Sequence, residues 1–183
     1  MSQYAPSLRP AASMLPGPKP VRLASLPIEP LSRGDEVEVA TAALKLLRTS
    51  DLAYAEGKFW RYEPKSGVWG ALDPAYVRNT IAKLAGTDVR RGYDVRPLKL
   101  SANQINGAMQ VMADTLAAAP GARKFNDAPG GIAFTNGFLD TAEGVPLLLK
   151  HSPDNLARRS FPFAYDAGLP HPLLDTFRAL PQS

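Results

Sequence analysis

Lys58-Phe-Trp-Arg-Tyr-Glu63, Pro64-Lys-Ser-Gly67 and Val68-Trp-Gly-Ala-Leu72 follow one another without a break near the middle of the chain. Alternation places Phe59 and Arg61 on one side of the first stretch and Trp60 and Tyr62 on the other, as a strand requires. The second stretch has turn chemistry, and the third returns as a partner strand containing Trp69. An aromatic β-hairpin is therefore expected here. Asp73 is a natural N-cap with Pro74 in the first helical position, and Val77, Ile81 and Leu84 mark a buried stripe that Gly86 ends. A strand pair running into a helix points to an α+β domain.

Outward from this hairpin the same signals recur. Upstream, Ser32-Arg-Gly-Asp35 has the spacing of a capping box with Asp in the last place, and Val37, Ala40, Leu44 and Leu47 repeat at helical intervals up to Arg48. Downstream, residues 87–100 read as a polar segment. Ser101 and Gln104 then form a second capping box ahead of Ile105, Met109, Met112 and Leu116, and Pro120-Gly121 must stop that helix. From Gly130-Gly131 onward short strands are expected over 132–135, 138–140, 145–150 and 159–165. Asn136-Gly137 and Thr141-Ala-Glu-Gly144 carry the turn signals, which leaves room for only a very short strand between two tight turns.

The first 34 residues differ in kind. Prolines at positions 6, 10, 16, 18, 20, 27 and 30 deny helix and sheet their backbone donors, so residues 1–34 are expected to be a disordered, proline-rich arm. The organisation that follows is an arm over 1–34, a folded domain over 35–175 and a short tail over 176–183. The fold class is α+β, several helices packed with short antiparallel strands and hairpins.

Charge is a weak guide. The 183 residues carry 21 basic and 17 acidic side chains, a formal +4, but Arg9, Lys19, Arg22 and Arg33 against Glu29 place +3 of it in the arm. The absence of cysteine excludes disulfide frameworks and zinc fingers. It is compatible with a reducing, cytoplasmic setting. No apolar run approaches the roughly 20 residues of a membrane helix, so no membrane partner is expected.

Catalytic motifs are missing. The Gly57-Lys58 pair is followed by Phe59 and preceded at the required distance by Leu52, so it is no phosphate-binding loop. Gly130, Gly131, Gly137 and Gly144 miss the spacing of a dinucleotide-binding turn. There is no Asp-x-Asp pair of the kind that holds polymerase metals. His151 and His171 could be combined with Asp140, Asp154 or Asp175 on paper, but no spacing pairs them, and exposed loop histidines are the reading preferred. No catalytic residue, metal or cofactor is expected in this sequence.

A nucleic-acid interface is the more productive search, because Trp, Tyr and Arg on one sheet can stack bases and neutralise phosphates together. Lys58, Trp60, Arg61, Tyr62 and Trp69 fit that description, with Arg90-Arg91 and Arg158-Arg159 as further basic pairs. The competing reading buries the hairpin's Trp and Tyr side chains on one face and wets its charges on the other; it is the one favoured for Trp60, Tyr62 and Trp69.

Gly131-Ile-Ala-Phe-Thr-Asn-Gly-Phe-Leu-Asp140, Thr141-Ala-Glu-Gly144, Leu149-Lys-His-Ser-Pro-Asp154 and Phe161-Pro-Phe-Ala-Tyr-Asp166 occur in that order. This run resembles the domain that precedes the superfamily-three helicase in poxvirus, phage and satellite-phage primase-helicases, and the aromatic hairpin with its two following helices resembles the opening of that domain. The likeness spans about Asp35 to Asp175. It marks Trp69, Asn136, Gly137, Leu139, Asp140, His151, Pro153, Asp154, Tyr165 and Asp166 as architectural motif positions. Independently of the family, Asn136-Gly137 suits positive φ and Asp140 can bond amides of the next turn. The resemblance implies a non-catalytic accessory domain of a phage or plasmid replication protein, acting in the cytoplasm of a bacterial or phage-infected cell. Its implied partners are single-stranded or forked DNA and the helicase domain. A homo-hexamer is implied only with the helicase present, and ATP and magnesium belong to that helicase. His171-Pro-Leu-Leu-Asp-Thr-Phe177 resembles the lead-in to a helicase, and no primase domain precedes residue 35. A chain shortened relative to its family, by truncation or in its gene, is the expectation. The alternative is a protein-binding module that works through the proline-rich arm without touching DNA.

Overall fold

The structure is a computed structural model that describes residues 29–143 and 145–168. Most of the arm, Gly144, His171, Asp175 and the tail over 176–183 lie outside the described residues.

Three helices and three small antiparallel sheets make an α+β fold. Helix α1 (Glu36–Leu47) starts three residues later than the Ser32 spacing suggested. Asp35 is its N-cap and accepts from the Glu38 amide at 2.9 Å, while the Glu38 carboxylate turns back onto the amides of Ser32, Arg33 and Gly34. Acidic side chains at this end also meet the positive pole of the helix dipole. Helix α2 (Pro74–Ala82) begins at the Asp73 cap, and α3 (Ala102–Ala118) begins at the Ser101–Gln104 box with both reciprocal bonds formed.

The first sheet holds β1 (Leu52–Ala55), β2 (Lys58–Glu63) and β3 (Val68–Ala71) in sequential order. It stands between two cores. Phe59 faces the helices and joins Leu44, Leu47, Val77, Ile81, Leu84 and Met112 in the larger one. Trp60, Tyr62 and Trp69 point the other way and close on Phe125, with the Trp60–Phe125 ring centroids 4.7 Å apart and Tyr62–Trp69 5.5 Å apart. Tyr62 and Trp69 are directly opposed across the β2–β3 ladder, so the strand register itself brings the rings together.

A second sheet was not anticipated. The polar segment forms a hairpin of β4 (Asp88–Arg91) and β5 (Asp94–Pro97), rooted in the larger core by Val89 and Leu98. Leu31, inside the stretch read as arm, already belongs to the fold: it forms a parallel bridge with Val89, its amide donating to Asp88 and its carbonyl accepting from Arg90.

The third sheet is β6 (Gly131–Phe134), β7 (Gly137–Asp140) and β8 (Leu147–Leu149). The four-residue β7 is the very short strand that two close turns demand. The strand expected over 159–165 is reduced to one parallel bridge, Ala133 to Ser160, and two backbone bonds, because Pro162 interrupts the donors a ladder needs. Among the described residues, no helix is long and apolar enough to cross a membrane.

Candidate nucleic-acid interface

The β4–β5 hairpin closes through a two-residue turn, Gly92-Tyr93, between the paired Arg91 and Asp94. Gly92 takes φ +63°, as the first central residue of a tight hairpin turn of this twist must. Pairing across the ladder puts Val89, Arg91, Asp94 and Arg96 on one face and Asp88, Arg90, Val95 and Pro97 on the other. Val89 drives the first face down onto the core, and the remaining side chains of that face line a groove.

The groove measures about 390 Å³ and is lined by Arg33, Arg91, Arg96 and Lys99, with Asp94 and the backbone of Gly34. Its near wall is the segment that Leu31 and Glu38 hold against the hairpin. The Arg91 guanidinium donates to the Arg33 carbonyl at 2.9 Å, and Arg96 pairs with Asp94 at 2.7 Å on the surface. Arg90 stands on the opposite face, and Tyr93 at the tip is wholly exposed. Four cations, Arg33, Arg91, Arg96 and Lys99, thus line the groove against one carboxylate, Asp94, with the Glu38 carboxylate behind its near wall. The weak net charge of the sequence hides a local concentration.

The sequence-nominated residues do not gather in one place. Arg90 and Arg91 belong to the hairpin. Lys58 lines a separate cleft of about 600 Å³ between the first sheet, the start of α2 and α3. Arg61 turns inward, donating to the Leu47 carbonyl at 3.0 Å and the Tyr76 hydroxyl at 3.3 Å, above the Tyr76 ring. Trp60 and Tyr62 are buried in the smaller core, as the favoured reading of the hairpin has it. Arg158 lies over Trp60 and Phe125 and is paired with Glu56 at 3.0 Å, while Arg159 borders a shallow groove beside Phe161. Arg123, which lies over the Trp69 ring, and Arg158 each have a carboxylate partner at the smaller core's edge, Asp154 and Glu56.

The motif positions knit elements together. Trp69 donates through Nε1 to the Pro153 carbonyl at 2.9 Å and through its amide to Ala157 at 2.7 Å. Asp140 accepts from the Ala142 amide at 2.9 Å, Asp166 accepts from Gly168 at 2.8 Å, and Leu139 is buried. Neither Asn136 nor Gly137 is at positive φ. Asn136 instead binds the Tyr165 backbone twice, and a Cβ on Gly137 would lie 2.4 Å from the Leu149 carbonyl, so close strand approach is what demands glycine there. His151 is no exposed loop histidine, for its ring is packed over Gly67. Among the described residues, no three metal-ligating side chains gather where they could hold an ion.

Arg33, Tyr93, Arg96 and Lys99 were not nominated from the sequence. A signal existed: Asp88-Val-Arg90 and Asp94-Val-Arg96 repeat around Arg91-Gly-Tyr93, a glycine-centred turn between like tripeptides.

A family model described as "D5 N terminal like" matches residues 47–179. No curated protein matches the chain.

Proposed function

Because this chain belongs to the D5 N-terminal-like family, the domain that precedes the superfamily-three helicase in primase-helicases, we propose that it is a non-catalytic accessory domain that engages DNA and passes it to the helicase ring. The observation that carries this reading is the gathering of Arg91, Arg96 and Lys99 with Arg33, which comes from a separate stretch of sequence, along one groove. Phosphate is the common anion that such a row suits, since each contact releases a condensed counterion. The reading assigns ATP, magnesium and any hexameric assembly to the helicase domain, and a phage or plasmid replication setting in bacterial cytoplasm follows from it.

The helicase neighbour is assigned to the opposite end of the chain. Val145, Leu147 and Phe163 expose apolar surface around the third sheet, where a protein contact would shield it. The same surface favours the rival reading, a protein-binding module without affinity for DNA.

Salt titration separates the two. Binding to single-stranded and forked oligonucleotides should weaken with salt with a log–log slope of about −3, the value for four phosphate contacts on a single strand. The double substitution R91A/R96A should reduce that slope by about 1.4. A flat titration, or one that R91A/R96A leaves untouched, refutes the DNA reading and leaves the protein-binding module.

A further inference from the structure

The hairpin carries a side chain that the fold does not use. Tyr93 has 108% of its reference exposure, the highest value among the exposed large hydrophobic residues. An aromatic ring left fully in water contributes nothing to folding. Yet its position is tightly fixed: the two-residue turn, the Arg91–Asp94 pair and Gly92 at φ +63° hold its Cα at the apex of the ribbon. Tyrosine loses little conformational entropy on docking, having two side-chain torsions, and its ring offers a face to any flat partner.

Charge around the ring is one-sided. Arg91, Arg96 and the Asp94 that pairs with Arg96 stand on the ribbon face that continues into Lys99 and Arg33, four cations to one carboxylate, and the other face offers Arg90 beside Asp88, Val95 and Pro97. A row of cations on one face can follow one phosphate backbone. Duplex DNA would bring a second backbone towards the face that carries Asp88 as well as Arg90. In a duplex, moreover, the bases are already stacked on one another and show a protein only their edges. An unpaired base offers its whole face.

Building on the assignment of DNA to this groove, we propose that Tyr93 stacks on an unpaired base and makes the site selective for single-stranded over duplex DNA. The cations along Arg91, Arg96, Lys99 and Arg33 hold the strand, and the ring at the apex reads whether its bases are free. At a fork this places the domain on the separated strand next to the junction.

The test uses the full chain with fluorescein-labelled oligo-dT, the same oligonucleotide with abasic sites in place of its thymines, and a hairpin duplex. Wild type should bind oligo-dT more tightly than either of the others. Y93A should lose about tenfold on oligo-dT, leave duplex affinity and salt slope unchanged, and no longer distinguish thymine from abasic DNA. Y93F should keep the wild-type pattern, because the ring and not the hydroxyl does the stacking. The fully exposed site makes misfolding of these variants a minor concern, and circular dichroism checks it. If R91A/R96A weakens every substrate while Y93A changes none, or all equally, the stacking inference falls and the groove stands. If R91A/R96A has no effect, the groove assignment itself falls.

Discussion

The imidazole of His151 lies so close over Gly67 that a Cβ on that glycine would sit 1.9 Å from Nδ1. Gly67 ends the β2–β3 turn at φ +68°, and His151 opens the loop that follows β8, so the contact fastens the third sheet to the first. Neither ring nitrogen has a hydrogen-bond partner among the described residues. Shape is therefore the basis of the contact. G67A should cost about 2–4 kcal/mol, the left-handed backbone and the overpacking acting together. In an H151A background, where the ring is gone, G67A should cost only the backbone part of about 1–2 kcal/mol relative to H151A itself. Urea unfolding of wild type, the two single variants and the double decides it: an equal cost of G67A in both backgrounds would show that the ring is not what excludes a side chain.

Asn136 holds Tyr165 by both ends of its amide, Nδ2 donating to the Tyr165 carbonyl and Oδ1 accepting from the Tyr165 amide, each at 2.9 Å. That clamp keeps Phe161, Phe163 and Tyr165 around Phe134, to whose ring their own centroids are 5.3 to 5.7 Å distant. N136A should destabilise by about 1–2 kcal/mol. N136D should be no better than N136A, because a carboxylate oxygen would face the Tyr165 carbonyl where a donor stood. Hydrogen exchange at the Tyr165 amide should quicken in N136A, which removes its acceptor, and protection retained there would contradict the clamp.

Tyr62 and Trp69 make opposite uses of their polar atoms. The Trp69 indole is bonded to Pro153, but the Tyr62 hydroxyl has no partner among the described residues. Burial pushes the Tyr62 hydroxyl above its ordinary 10.0, with Asp154 and Asp51 adding to the rise against the opposing charge of Arg123. Y62F should be neutral or more stable by up to about 1 kcal/mol, whereas W69F should lose at least about 2 kcal/mol through the orphaned carbonyl and the lost ring. A folded-state value above the unfolded one gives a contribution present below pH 10 and lost as pH rises beyond it. Wild type should therefore weaken in alkali more than Y62F does. Thermal melts at neutral and alkaline pH test both the order and the widening gap between wild type and Y62F.

Some of this architecture was readable from local chemistry. Asp73-Pro74 and Ser101–Gln104 fixed the starts of α2 and α3, because a cap is a property of four neighbouring residues. The two faces of β2 followed from alternation alone. Strand β1 escaped because Leu52 to Ala55 is short and lacks polar alternation; its turn depends on Glu56 and Gly57 both reaching positive φ. The β4–β5 hairpin escaped for the opposite reason, since only Val89 of its eight strand residues is buried and a hydrophobic pattern has nothing to detect.

The groove was less legible still. Its cations come from Arg33, the hairpin and Lys99, and what assembles them is the bridge of Leu31 to Val89 across 58 positions. No local spacing encodes such a contact. The aromatic hairpin attracted attention because Trp60, Tyr62 and Trp69 neighbour basic residues in sequence, yet burial drew the rings one way while the Arg61 side chain went the other. Asn136-Gly137 was located correctly, but its reason is a clamp and a close strand contact, both made with residues far along the chain.

Glu38 ties the helix to the groove, and its titration should be visible at both. Its carboxylate accepts from the amides of Arg33 at 2.7 Å, Gly34 at 2.8 Å and Ser32 at 3.1 Å. Partial burial would raise its pKa, but the amides of Gly34, Arg33 and Ser32 outweigh that and hold the carboxyl below its ordinary 4.5. Stability from this group is thus present above pH 4.5 and lost as pH falls through the lower folded-state value. E38Q should cost about 1 kcal/mol at neutral pH, the size of a lost helix cap, and the gap to wild type should close in acid. The same substitution bears on the DNA reading, for Glu38 places Arg33, whose carbonyl in turn receives Arg91. Removing one negative charge near a basic groove would by itself tighten DNA binding. If positioning matters more, E38Q should instead weaken binding to oligo-dT and reduce the salt slope by up to about 0.7, the share of one phosphate contact on a single strand. Tighter binding by E38Q with an unchanged slope would remove Arg33 from the interface.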